Sequence, residues 1–241
     1  NSRRSEDGFV ALAYLLGQPT VVANEDGTIT VPDLLGANGA PRKWREVAPY
    51  VWRDVDGPDR IAAKVVDGKV VRFSTDPISP FMVFDRTPWY RSGGVFLPIL
   101  AIGLGALLLT VLAWPISALV RRHFRVAYQL TGSDAIWHKR IRIASLAVLV
   151  ALGGAVAMAI AMLSSLDMLS PANDIWVNTL RLLNLVVLPL GALIGLANAW
   201  HVLRGARRWP AKLWSVVLAL SMLGLLWFGI AQNILGYGAN Y

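Results

Sequence analysis

The chain has 241 residues, of which 55% are hydrophobic and only 16% are charged, and its mean hydropathy is +0.50. This composition excludes an ordinary soluble domain, in which about a quarter of the residues are charged, and predicts a membrane protein. The formal net charge of +8 could indicate nucleic-acid binding, but the basic residues stand between long apolar segments, so we expect no nucleic-acid partner.

The first residues do not form a secretory signal. In NSRRSEDGFVALAYLLGQP the apolar run at 9–16 is short and follows two acidic residues, whereas a signal peptide has a basic start and a longer apolar stretch. The serine before the acidic pair and the glycine after the apolar run predict a short helix over residues 5–17. Because residues 1–91 precede the first apolar span, we expect an upstream signal to export them and Asn1 to be internal to a longer protein.

The apolar residues alternate after residue 17, which is typical of β-strands. TVVANEDGTITV and RIAAKVVDGKVVRFS each place an Asp-Gly turn between alternating residues and predict two hairpins. REVAPYVWRDV and SPFMVFDR predict further strands. We therefore predict a small exported β-rich module over residues 1–91, with the short helix and about six strands, too small to hold a large active-site cleft.

The rest of the chain, residues 92–241, reads as a transmembrane domain. Its uncharged stretches reach the roughly 20 residues that a membrane-spanning helix needs. They predict a bundle of four transmembrane helices, with spans at about 95–120, 143–166, 179–203 and 213–235.

The loop charges predict the orientation of these helices. Ten basic residues lie in the two loops between spans one and two and between spans three and four, whereas the opposite side has only Arg181. Basic loops stay in the cytoplasm. We therefore expect a multi-pass protein of a bacterial inner membrane, surrounded by the lipid bilayer, with the N-terminal module and the C-terminus in the periplasm.

Polar side chains accompany the third predicted span. Polar and small residues recur there at spacings of three and four and share one helix face. Polar residues inside a membrane face the bundle interior, and small residues let helices approach closely. We predict helix packing through Gly191, Gly195 and Asn198, and a polar cluster at the outer end of the bundle formed by Asp167, Asp174, Arg181, Asn184, Gln232 and Asn233. This cluster could bind a lipid head group or substrate, or only fix helix packing, which we favour.

Cofactor sites are not indicated. The three histidines, His123, His138 and His201, fall at the cytoplasmic ends of predicted helices. His201 follows Ala197 by four residues, a spacing that resembles pigment ligation in light-harvesting polypeptides, but we favour an interfacial histidine. The chain has no cysteine, which excludes disulfides and thiolate metal sites. We predict no cofactor.

Three segments of the chain resemble a known family. SRRSEDGF, NEDGTITVPDLLGANGAPRKWREVAPYVWRDVDG and VVDGKVVRFSTDPISPFMVFDRTPWYRS, followed by several spans, are similar to the C-terminal part of bacterial serine hydrolases related to class C β-lactamases and penicillin-binding proteins. The resemblance implies that an exported catalytic domain precedes this chain. The family's Ser-x-x-Lys and Tyr-x-Asn motifs are absent from the sequence, so we predict no catalytic residue in this chain.

Three functions are compatible with these features. The resemblance favours the membrane anchor and accessory region of an exported serine hydrolase, whose partner is the upstream catalytic domain. The alternative is a non-catalytic integral subunit of a larger membrane complex, held to partner subunits by small-residue helix faces. The third is a small transporter or lipid-handling protein. Only three acidic residues lie beyond residue 94, all outside the apolar centres of the spans, which argues against proton coupling.

Overall fold

The computed structural model describes residues 18–78, 83–128, 130–165, 167 and 170–235. The predicted helix over residues 5–17 lies outside the described residues. The described chain divides into two compact units, the first ending at Gly93 and the second beginning at Gly94. The first unit is a β-sheet and the second is a set of long helices.

The first unit, here called the sheet module, contains one antiparallel sheet. Its described strands are β1 (Val22–Ala23), β2 (Thr28–Leu35), β3 (Pro41–Ala48), β4 (Val51–Asp54), β5 (Arg60–Val66), β6 (Lys69–Thr75) and β7 (Val83–Asp85). Each strand pairs with the next one along the chain, in the order β1 to β7. The sheet is therefore a simple meander in which every pairing is between neighbours in sequence.

The described sheet has seven strands where the sequence predicted about six, and the difference arises at Pro49 and Tyr50. The segment REVAPYVWRDV holds the end of β3 and all of β4, which pair with each other. Pro49 has no N–H to donate to a strand ladder, and Tyr50 adopts φ 62°. The Tyr50 N–H donates to Glu46 Oε1 at 2.9 Å, which closes the turn. The apparent single strand is thus a hairpin.

Both predicted Asp-Gly turns connect paired strands. Asp67 and Gly68 have φ angles of 51° and 70°, as a two-residue turn with both centres left-handed requires. At the other turn, Asp26 accepts hydrogen bonds from the hydroxyl and the N–H of Thr28 and pairs with Lys43. These hydrogen bonds, first that of the Thr28 hydroxyl, lower the pKa of Asp26 to about 2, so its carboxylate is ionised at neutral pH.

The core of the sheet module is small and centres on Trp44. Trp44 and Val31 are fully buried and pack with Leu34 and Ile61. Ile29, Trp52 and Phe73 flank this cluster. Trp44 is the largest of the fully buried side chains in the module.

The second unit, here called the helical unit, contains the apolar segments. Its described helices are α1 (Gly93–Phe124), α2 (Gly132–Ser164), α3 (Asp174–Arg204) and α4 (Trp209–Ala231). Each of the four is long and apolar enough to cross a membrane. This agrees with a multi-pass membrane protein containing a helical bundle.

The packing within the helical unit places α3 against both α2 and α4. Helix α1 packs against α4, where the ring of Phe96 lies 5.4 Å from that of Phe228. At the other end of the same pair, Trp214 Nε1 donates to Thr110 Oγ1 at 3.1 Å. All four helices therefore belong to one bundle.

Candidate functional site

Two of the polar residues predicted at the outer end of the bundle, Arg181 and Asn233, contact each other. Arg181 is only 5% exposed, and its Nη2 donates to the backbone oxygen of Asn233 at 3.2 Å. Asn233 lies just after α4 with φ 51°, and the neighbouring Gln232 is buried. The structure thus joins Arg181 on α3 to the turn at 232–233, within the last residues of the predicted fourth span.

The other members of the predicted cluster serve different contacts. Asn184 is fully buried, and its Nδ2 donates to the backbone oxygens of Ala151 and Leu180 at 3.1 and 2.8 Å. This amide therefore ties α3 to α2. Asp167 is exposed and accepts a hydrogen bond from the Asn173 side chain on its backbone oxygen, and Asp174 is the first residue of α3. The side chains of Arg181, Asn184 and Asn173 thus each donate to a backbone oxygen.

Replacing Arg181 with leucine should lower the free energy of unfolding by roughly 1–3 kcal/mol, because the Asn233 oxygen loses a charged donor. Thermal unfolding of the full chain in detergent measures the effect. Arg122→Leu, at an exposed position near the end of α1, is the control and should change stability little. Equal stability of the two variants would contradict a structural role for Arg181.

The predicted packing residues of α3 are buried between its neighbours. A Cβ atom on Gly191 would lie 2.7 Å from Val148 Cγ2, and one on Gly195 would lie 3.0 Å from Met222 Sδ. A side chain at Gly191 would therefore clash, and one at Gly195 would force its neighbours to shift. Asn198 is 4% exposed on the same face. Gly191 therefore permits the approach of α2 and Gly195 the approach of α4.

A cavity of about 220 Å³ lies at the opposite end of the bundle, beside the basic loops. All four helices contribute to its walls. Asp134 Oδ1 lies 2.8 Å from His201 Nε2, and Asp134 Oδ2 lies 3.6 Å from Arg207 Nη1. The carboxylate of Asp134 thus joins the start of α2, the end of α3 and the loop before α4. We call this cavity the Asp134 cavity.

Several side chains around the Asp134 cavity already have partners. The ring of His201 stacks on Trp137 at 6.0 Å, and Ser215 Oγ donates to the Lys212 backbone oxygen at 2.7 Å. A hydroxyl bonded to a backbone carbonyl is not oriented toward an imidazole as a nucleophile would be. The arrangement locks the helix ends together and does not form a catalytic triad.

A second cavity, of about 340 Å³, adjoins the first through the shared side chain of Arg142. Its described lining residues are Trp114, Arg121, Tyr128, Ala135, Lys139 and Arg142. Three of these carry a positive charge and none is acidic. We call this the basic cavity.

Sequence reasoning placed the basic residues and His201 at one end of the helices but missed both cavities. The available signal was Asp134, the single carboxylate in a loop region that otherwise carries only basic charges. A lone acidic residue among ten basic ones is suited to pair with several of them. Its partners, however, lie 67 and more residues away, and helix periodicity alone does not identify them.

Within the described residues, no group of three or more His, Cys, Asp or Glu side chains could hold a metal ion.

Comparison with protein-family models, curated proteins and solved structures finds no match.

Proposed function

We propose that this chain is the membrane anchor and accessory region of an exported serine hydrolase related to class C β-lactamases and penicillin-binding proteins. The family resemblance of the three sequence segments suggests the class of enzyme. The observation that carries the anchoring role is a pair of hydrogen bonds made by Gln18, the first described residue of the sheet module.

Gln18 links the two ends of the sheet module. Its Nε2 donates to the Arg91 backbone oxygen at 3.1 Å, and its Oε1 accepts from the Gly93 N–H at 2.8 Å. Gly93 is the first residue of α1. The residue at which the chain enters the module is therefore fixed beside the residue at which it leaves for the first apolar helix.

This closed arrangement suits a tether. A domain that precedes residue 1 would connect through residues 1–17 to Gln18, which is fixed beside the start of α1. The length and stiffness of a connection determine the effective concentration of a domain near its target. A hydrolase acting on peptidoglycan peptides, β-lactams or esters at the membrane surface would gain from such placement. Catalysis itself would belong to the preceding domain, because this sequence has no Ser-x-x-Lys motif.

In the proposed arrangement, the sheet module and the C-terminus lie in the periplasm of a bacterium. The basic loops lie in the cytoplasm. Single cysteines at Ser133 and Asn173, in an otherwise cysteine-free chain, report this orientation. An impermeant thiol reagent applied to intact cells should label the cysteine at 173 and leave that at 133 unlabelled. Labelling of both positions after lysis is the control. The reverse pattern in intact cells would refute the orientation.

The hydrolase itself is tested with the full-length gene product. We expect its reading frame to encode an export signal and a domain with Ser-x-x-Lys ahead of this chain. A fluorophosphonate or penicillin probe should label the membrane-bound full-length protein covalently. The 241-residue chain alone should stay unlabelled, because it contains no Ser-x-x-Lys motif in which the lysine could activate the serine.

A reading frame that starts close to Asn1 would contradict the proposal. So would a full-length protein that contains the motif and remains unlabelled by both probes. Either result would favour the alternative, a non-catalytic integral subunit, for which co-purification with partner membrane proteins is the direct measurement.

A further inference from the structure

The basic cavity combines three cations with no acidic lining residue in the described part of the chain. Arg121 comes from α1, and Lys139 and Arg142 come from α2. Like charges brought together around one space repel each other, and a low-dielectric surrounding strengthens the repulsion. An anion in the cavity would remove this cost.

Arg142 is the member that most needs a partner. It is 8% exposed, and its Nε is buried without a hydrogen-bond partner among the described residues. The guanidinium lies 5.8 Å from the Trp114 ring centre, a contact that stabilises a cation only in part. A buried polar atom without a hydrogen-bond partner is costly. The buried Nε therefore supports a ligand beside Arg142.

The carboxylate of Asp134 does not fill this role. Asp134 lines the neighbouring Asp134 cavity, where its two oxygens contact His201 and Arg207. It is not among the lining residues of the basic cavity. Arg142 reaches both spaces, but the basic cavity keeps its excess positive charge.

The chemistry of the cavity fits a phosphate group. Arginine binds phosphate through a planar fork of donors, and lysine adds a compact point charge. Trp114 and Tyr128 also line the cavity, and aromatic residues of this kind are enriched at the membrane–water interface. Basic pockets between membrane helices bind the head groups of anionic lipids.

We propose that the basic cavity binds the phosphate of an anionic phospholipid from the leaflet at the basic end of the bundle. This site would fix the ends of α1 and α2 to the surrounding lipid. It does not depend on the attached hydrolase, because it uses only residues of the helical unit.

The test compares two double variants of the full chain purified in detergent. Arg121→Gln with Lys139→Gln removes two charges that line the cavity. Arg122→Gln with Arg140→Gln removes two charges at the adjacent sequence positions, which are exposed and do not line it. Native mass spectrometry then measures the binding of phosphatidylglycerol, with phosphatidylcholine and inorganic phosphate as separate arms. Thermal unfolding without lipid verifies that both variants are folded.

We expect saturable phosphatidylglycerol binding that the cavity variant weakens about tenfold or more, since two charge-assisted contacts are lost, while the matched variant binds like the parent. Phosphatidylcholine should bind more weakly than phosphatidylglycerol. Equal losses in both variants would overturn the proposal, because they would show a general surface-charge effect. Inorganic phosphate that competes fully with the lipid at equal concentration would also overturn it, by assigning the site to a soluble anion. Failure of the hydrolase labelling would leave this result unaffected.

Discussion

Trp44→Ala should lower the free energy of unfolding of the sheet module by about 3–5 kcal/mol, the cost of removing a fully buried large aromatic side chain. Trp44 is 0% exposed and packs with Val31, Leu34 and Ile61. Because the core of the module is small, few other apolar side chains can fill the space that the Trp44 side chain leaves. Hydrogen exchange of the strand amides in the full chain should show this loss as faster exchange across β2, β3 and β5.

Trp44→Phe is the matched variant. The indole Nε1 of Trp44 is buried without a hydrogen-bond partner among the described residues, so phenylalanine keeps most of the volume and removes an unsatisfied donor. We expect it to cost much less than alanine. If both variants exchanged at the parent rate, Trp44 would not be the centre of the core.

Gly191→Leu should destabilise the helical unit by roughly 3 kcal/mol, the upper end of the usual cost of overpacking. Even a Cβ atom at this position would lie 2.7 Å from Val148 Cγ2, and Val148 is itself fully buried. The larger side chain would force α2 away from α3 and strain the Asn184 hydrogen bond to Ala151. Thermal unfolding of the full chain in detergent measures the change.

Gly153→Leu provides the comparison in the neighbouring helix. A Cβ atom there meets nothing within 4 Å, and the position is exposed. The substitution gains helix propensity without a clash, so we expect no loss of stability. Similar losses in both variants would show that leucine acts through something other than the α2–α3 contact.

The sequence anticipated those features that follow from local patterns. The four apolar helices follow from runs too long and too uncharged for other structures. The Asp67-Gly68 hairpin follows from alternation around a turn dipeptide. The extra strand was missed because the break at Pro49 and Tyr50 depends on a left-handed tyrosine, and tyrosine is not among the residues that usually mark such a turn.

The contacts at both ends of the bundle depend on long-range placement, which patterns of one chain segment do not contain. The spacing of polar residues identified one face of α3, and Arg181 and Asn184 do lie on its buried side. The partner of Arg181 is a backbone oxygen at Asn233, and any residue type could supply that oxygen. The pairing of Asp134 with His201 likewise requires knowledge of how α2 and α3 align.

The meander order of the sheet has a consequence for how the chain acquires its structure. Each strand needs only the strand before it, so the contacts of the sheet are local in sequence, and local contacts favour rapid folding. A chain emerging N-terminus first can add one strand at a time without waiting for a distant segment. The bond between Gln18 and Gly93, which are 75 residues apart, cannot form until the last strand has emerged. This hydrogen bond therefore forms last in the sheet module, once the first residue of α1 has emerged.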